Sequence, residues 1–316
     1  MTRITVVVGV LLLSFAACSS KEHEPAPAPK LVETGHAHPA PDPARLVERG
    51  AYIAKAGGCL VCHSGSNGPD PAQPGVGGLE MPDVAGTWRT PNITQDKKTG
   101  IGSWTDEQIA RAIRQGVRPD GSQLYAIMPY PEFNRLTDDD TKALVAFLRT
   151  LKPIEHAVEP NKDLQFPKLA MPTPANAPDV ASDPVKHGEY MATVMLCDHC
   201  HWTPDDKMQP QRDKMFAGGL AFTLPMFGPG TLYAANITPD PETGIGTWTE
   251  DQIVTALKTM TRPNGKLINP PMMLLQDGWS HLDDADLHAV AAYLRQLPPV
   301  KHKVAGSTFK LGAKGG

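Results

Sequence analysis

Two five-residue stretches carry the chemistry of this chain: Cys59-Leu60-Val61-Cys62-His63 and Cys197-Asp198-His199-Cys200-His201. Two thiols separated by two residues can each form a thioether to one edge of a haem, and the adjacent imidazole can then ligate the iron. A thioredoxin-like redox pair has no use for the histidine, and a structural zinc site would want a second cysteine pair close by. The pattern occurs twice, each time inside a longer shared sequence, which points to two covalently bound haem c groups. Cys59, Cys62, Cys197 and Cys200 would be the attachment points, with His63 and His201 as proximal iron ligands.

The elements around these motifs repeat. Asp42-Pro43 and Asp183-Pro184 each pair an N-cap with a proline suited to the first helical position. Helices follow that carry Gly50-Ala51-Tyr52 and Gly188-Glu189-Tyr190. A glycine inside a helix weakens it, so its presence predicts a second helix crossing closely there. Gly57-Gly58 stops the first helix just before the haem motif. A Gly/Pro-rich stretch from His63 to about Pro91 reads as an irregular loop over haem. Thr105 with Gln108 forms a capping box for the next helix, which Gly116 closes. The last helix starts at Thr137-Asp138-Asp139-Asp140, with acids at the positive end of its dipole, and is predicted to cross at Gly50.

Asn236-Ile237-Thr238, Trp248, Thr249 with Gln252, and Arg262-Pro263-Asn264-Gly265 each lie 144 residues after their first-half counterparts. That offset also predicts the sixth iron ligand. Met128 follows the Arg118-Pro119-Asp120-Gly121 turn and lands on Met272, beside Met273. A loop methionine opposite a proximal histidine is the arrangement that raises the potential of a c-type haem. Most methionines are core filling, and Met273, Met226 and Met215 compete for the second site. His199 lies inside its own motif and cannot easily swing round, while His156, His187, His281, His288 and His302 read as surface or helix-face residues.

At 316 residues, 41% hydrophobic and 20% charged, the chain has room for two domains. A net charge of −4 gives no strong field to attract nucleic acid. Aromatics amount to only 6%, a shortfall that two haems would offset with their own apolar surface. The four motif cysteines leave Cys18 over. Residues 1–17 combine Arg3 with an apolar run too short to span a bilayer, and read as a secretory signal. Residues 18–41 are rich in Pro and Ala and read as an extended tether, at roughly 3 Å per residue. The expected organisation is mainly α: one small helical domain over 42–152, a linker over 153–182, a second domain over 183–300 and a tail over 301–316.

Both units resemble class I cytochrome c domains. The pair resembles the dihaem portion of the cytochrome subunits of periplasmic alcohol, aldehyde and gluconate dehydrogenases. The resemblance rests on the two haem motifs with Met128 and Met272, on Met128-Pro129-Tyr130-Pro131, and on the run from Asn236 to Trp248. It implies that Trp88, Arg89 and Asn92 in the first unit, and Tyr233 and Asn236 in the second, contact haem propionates. Trp104 and Trp248 read as packing residues. Those subunits often carry three haems and a C-terminal membrane helix, whereas this chain has two motifs and a Lys- and Gly-rich end.

Phe15-Ala16-Ala17-Cys18 resembles the bacterial lipoprotein box, with Phe15 where leucine is usual. It implies lipidation of Cys18 and a membrane anchor on the periplasmic side, with Ser19 favouring the outer membrane. The expected function is one-electron transfer between redox partners outside the cytoplasm, with no catalytic residue. The alternative is the electron-accepting subunit of a dehydrogenase. A dihaem peroxidase would need an open distal site, which two matching methionines disfavour.

Overall fold

The computed structural model describes residues 42–65, 70–83, 86–161, 164, 168–174, 183–224 and 228–310. The signal, Cys18 and the tether expected over 1–41 lie outside those residues.

The described chain is largely helical and is built from two halves with one order of elements. In the first, α1 (Pro43–Ala56) is capped by the Asp42 carboxylate, which accepts from the Ala44 N–H, and Gly57 ends it. Gly58, at φ +64°, then turns the chain into the short helix α2 (Cys59–Cys62). A hairpin of β1 (Glu80–Asp83) and β2 (Gly86–Arg89) sets Met81 opposite Trp88. Helix α3 (Asp106–Gln115) starts on the full Thr105/Gln108 capping box and stops at Gly116. The short α4 (Tyr130–Phe133) leads to α5 (Asp138–Arg149), capped by Thr137. The second half repeats this with α6 (Pro184–Val194), α7 (Cys197–Cys200), β3 (Ala221–Thr223), β4 (Thr231–Tyr233), α8 (Glu250–Thr259), α9 (Gln276–Trp279) and α10 (Asp284–Gln296).

The two hairpins replace part of the irregular loop expected over haem. Strands of three or four residues are too short to show an alternating pattern, and neighbouring Gly and Pro hide what alternation there is.

The predicted crossings are present in both halves. A Cβ placed on Gly50 would lie 1.9 Å from the Ala143 carbonyl oxygen of α5, and one on Gly188 would lie 2.0 Å from the Ala289 oxygen of α10. Only glycine lets these backbones touch, so the first and last helices of each half pack as a pair.

Beyond residue 152 the chain runs back along the first half: the Asn92 amide donates to the carbonyls of Ile154 (2.8 Å) and His156 (3.3 Å). The tail beyond 300 does the same for the second half, where Asn236 donates to Val300 (2.8 Å) and His302 (3.5 Å). Both straps satisfy a buried amide, a role that neither hydrophobic period nor composition reveals. Further along, the connection still lies over the first half, with the Leu169 N–H donating to the Tyr130 hydroxyl at 2.8 Å.

Reciprocal contacts join the halves. Tyr52 donates to Asp286 (2.5 Å), and Tyr190 donates to Asp140 (2.6 Å). Each carboxylate has a basic side chain from its own half, the Arg49 guanidinium on Asp140 and the His187 ring on Asp286, both at 2.6 Å. Burial, then the carboxylate partner, raises both tyrosine pKa values above the ordinary range, so both remain donors. The buried Trp279 indole also crosses the seam, donating to the Ala56 carbonyl at 2.9 Å.

Two outcomes test this architecture. Gly50→Ala gains about 1 kcal/mol of helix propensity, yet the clash should leave a net loss of about 2 kcal/mol in denaturant unfolding of the holoprotein. A stabilised variant would refute the crossing. Tyr52→Phe and Tyr190→Phe should each cost about 1.5–3 kcal/mol, the range for a hydrogen bond to a charged group. Equal, near-zero effects would mean the seam is held by packing alone.

Candidate functional site

Each histidine motif sits on a turn fixed by backbone bonds on both sides. The His63 N–H donates to Cys59 (3.1 Å), and its carbonyl accepts from Gly77 (2.8 Å). In the second half His201 bonds Cys197 (3.0 Å) and Gly218 (2.8 Å) in the same way. Both rings are buried, and each Nδ1 faces a carbonyl: Pro91 at 2.8 Å from His63, Ala235 at 2.7 Å from His201. A carbonyl can only accept, so Nδ1 carries the proton and Nε2 keeps its lone pair. Burial lowers both histidine pKa values despite the carbonyl, which favours the neutral ring that an iron needs.

No disulfide joins Cys59, Cys62, Cys197 and Cys200. Burial pushes Cys59 and Cys200 up to about 12, far from the activated thiolate of a disulfide oxidoreductase. Among the described residues no three His, Cys, Asp or Glu side chains converge as a metal cluster. These donors suit thioether attachment with one imidazole better than redox-pair or zinc chemistry.

Met128 lies in a tight turn, its N–H on Tyr125 (3.1 Å) and its carbonyl accepting from Tyr130 (2.7 Å), and the chain then enters α4. Met272 opens the 3-10 turn Met272–Leu275 ahead of α9. Both side chains are half-buried against the core. Met215 also packs there, and Met226 lies outside the described residues.

The helices after these methionines back the attachment turns at the seam. A Cβ on Gly57 would meet the Phe133 ring of α4 at 3.2 Å, and one on Gly58 would meet the Leu275 side chain at 2.7 Å. Arg135, just past α4, pairs with Asp198 of the second motif, and Glu132 lies 3.2 Å from His199. A Cβ on Gly57, two residues before Cys59, would also lie 3.3 Å from the carbonyl oxygen of Val194, three residues before Cys197. The two attachment turns therefore meet at one seam.

The residues expected to hold propionates divide. Asn92 and Asn236 are each engaged within the chain: each amide donates to strap carbonyls and a threonine hydroxyl, and each side-chain oxygen accepts from a threonine N–H. Arg89 pairs with Glu80 at 2.7 Å. Trp88 is buried, and its indole N–H has no partner among the described residues. An orphan donor of this kind fits an anionic group that completes the site. Tyr233 lines an open cavity of about 620 Å³, together with Ala235, Arg262, Asn269 and Lys303. That volume suits a bound cofactor. Arg262 and Lys303 were missed as site residues because the first reads as part of a turn and the second as tail. The lining includes Ala235, whose carbonyl holds His201, and Asn269, three residues before Met272.

Comparison with known proteins agrees with this geometry. The cytochrome c family profile matches residues 47–152. The chain is 35% identical over 307 residues to the cytochrome c subunit of the quinone alcohol dehydrogenase of Gluconobacter oxydans, covering 90% of this chain and 63% of that one. It is 34% identical over 270 residues to the gluconate 2-dehydrogenase cytochrome c subunit of Pantoea cypripedii, covering 80% and 59%. The chain thus spans about 60% of the length of these subunits. It is also 31% identical over 267 residues to a diheme cytochrome c-type protein of Cereibacter sphaeroides, and there the match covers 80% of this chain and 86% of that one. With its two Cys-x-x-Cys-His turns, its oriented histidines and this likeness along most of a relative's length, the chain belongs to the cytochrome c family, whose haem c is bound covalently.

Proposed function

We propose that the chain transfers one electron at a time between redox partners through two haems, one in each of two tandem cytochrome c domains. The observation that carries this reading is the duplicated turn with its histidine Nδ1 pinned to a carbonyl. Haem c supplies a one-electron Fe(III)/Fe(II) couple. Cys59 and Cys62 tether the first group, and Cys197 and Cys200 tether the second. His63 and His201 present Nε2 in a fixed orientation, and Met128 and Met272 complete the coordination. The buried residues around each turn exclude water. A thioether ligand favours the ferrous state and so raises the potential. Because both attachment turns meet at the seam, the two sites form one relay rather than two independent carriers.

A dehydrogenase is the partner that the relatives' names favour, since two of them are cytochrome subunits of such enzymes. Lipid on Cys18 would hold the chain at the periplasmic side of a bacterial membrane, with the outer membrane favoured by Ser19.

The purified holoprotein should carry two haems per chain, show low-spin spectra with the weak Met–iron charge-transfer band, and give no shift when carbon monoxide is added to the reduced form. Carbon monoxide binding by the unaltered protein would sink the two-methionine reading and turn attention to an enzyme. Met128→Ala should open one site, so that half of the haem binds carbon monoxide. Met272→Ala should do the same for the other half and Met273→Ala should not; the reverse result would move the second ligand by one residue.

A further inference from the structure

The two halves share a backbone plan, yet their charges differ around the cavity that Tyr233 lines in the second half. In the second half the cavity is bounded by Ala235, whose carbonyl holds His201, and by Asn269, three residues before Met272. Arg262 and Lys303 both line it. The cavity's own carboxylate, Glu242, is already paired with Lys301 at 2.7 Å. Neither Arg262 nor Lys303 makes an ion pair with a described carboxylate. Two cations thus face one cavity, neither of them paired with a described carboxylate.

The first half lacks this arrangement. The counterpart of Arg262 is Arg118, whose guanidinium turns back to its own loop, 3.3 Å from the Ser122 hydroxyl and 3.4 Å from the Gln123 carbonyl. The counterpart of Lys303 is Ala157. What the first half offers instead is the unpartnered Trp88 N–H.

Lys303 is held in place although it lies in a segment without helix or strand. Just before it, the His302 N–H donates to the Thr243 hydroxyl at 3.0 Å and its Nδ1 lies 2.9 Å from the Ala217 carbonyl. Just after it, the Thr308 N–H donates to Thr231 at 3.0 Å and Lys310 to Pro229 at 3.0 Å. The segment between these anchors forms one wall of the cavity.

We propose that Lys303 and Arg262 form a cationic clamp on the propionate edge of the second haem, and that Lys303 sets the potential of that haem. This rests on the two-haem reading. A fixed positive charge disfavours the ferric state, which carries one more positive charge, and so raises the potential. Lys303 is exposed, so solvent and salt screen the effect to a modest size.

The test is a potentiometric titration of the full holoprotein after its haems have been counted. In Lys303→Gln, the ferric-to-ferrous ratio of one haem at fixed potential should rise about threefold, a fall of about 28 mV at about 59 mV per tenfold. The other haem should not move. In the Met128→Ala background, the shifting haem should be the one that still excludes carbon monoxide. Lys303→Arg should restore the potential, and Lys266→Gln, on the same loop as Arg262 but outside the cavity lining, should leave it unchanged. Two haems with unshifted potentials, a shift of both together, or an equal shift in Lys266→Gln would each overturn the clamp. A single haem per chain would overturn the two-haem reading itself.

Discussion

The fold depends on a backbone-to-backbone contact made twice, α1 against α5 at Gly50 and α6 against α10 at Gly188. It works because one end of each helix pair is continuous with the chemistry. Helix α1 runs into the Cys59 turn, and α5 is reached from Met128 by way of α4. Closing the pair therefore brings the attachment turn and the methionine loop to the same end of the half. A side chain at Gly50 or Gly188 would separate them. The long sequence distance between Cys59 and Met128 is spanned by one contact of almost no thickness.

The seam turns two such ends toward one another. Each carboxylate at the crossing, Asp140 and Asp286, binds a basic side chain from its own half and a tyrosine from the other. Paired on two sides, a half-buried carboxylate is satisfied only when both halves are docked. The arrangement is reciprocal, so the docking has one register. Arg135 with Asp198 and Glu132 beside His199 add contacts that involve the second attachment turn alone, since its inner residues are Asp and His where the first has Leu60 and Val61. The symmetry of the scaffold thus carries an asymmetry of charge at the second Cys-x-x-Cys-His motif.

Much of this was legible in the sequence, because it was written in local signals. Asp42-Pro43, Thr105 with Gln108, Thr137 and the glycines at helix ends act within a few residues, and each does in the structure what its chemistry demands. The crossing at Gly50 was legible because a helical glycine has few other reasons to be there. The straps were not, since Asn92 and Asn236 are satisfied by carbonyls more than sixty residues away. Nor was the seam: Tyr52 and Asp286 lie 234 residues apart, and nothing in either neighbourhood marks them as partners. Arg262 and Lys303 escaped for the same reason, as a turn and a tail become a site only when the chain folds one against the other.

The second half shows how firmly the architecture holds its backbone. At Gly58, Gly75 and Gly116 the first half uses glycine at positive φ. The corresponding residues Leu196, Phe216 and Met260 keep the left-handed conformation, at φ +61°, +64° and +50°. A side chain there costs roughly 1–2 kcal/mol, so the conformation is imposed by what surrounds it rather than by local preference. The volume is exchanged in return. Where Gly116 leaves room, the fully buried Tyr130 ring fills it, within 2.6 Å of a Cβ position. In the second half Met260 occupies that space itself and is equally buried. Phe216 likewise is buried where Gly75 was, its ring meeting Tyr293 edge-on at 5.9 Å. Phe216 and Met260 fill core at these positions, while Leu196 packs against it partly buried. The turns that orient His63 and His201 are thus built alike from opposite materials, glycine beside a large neighbour in one half and a large residue at positive φ in the other.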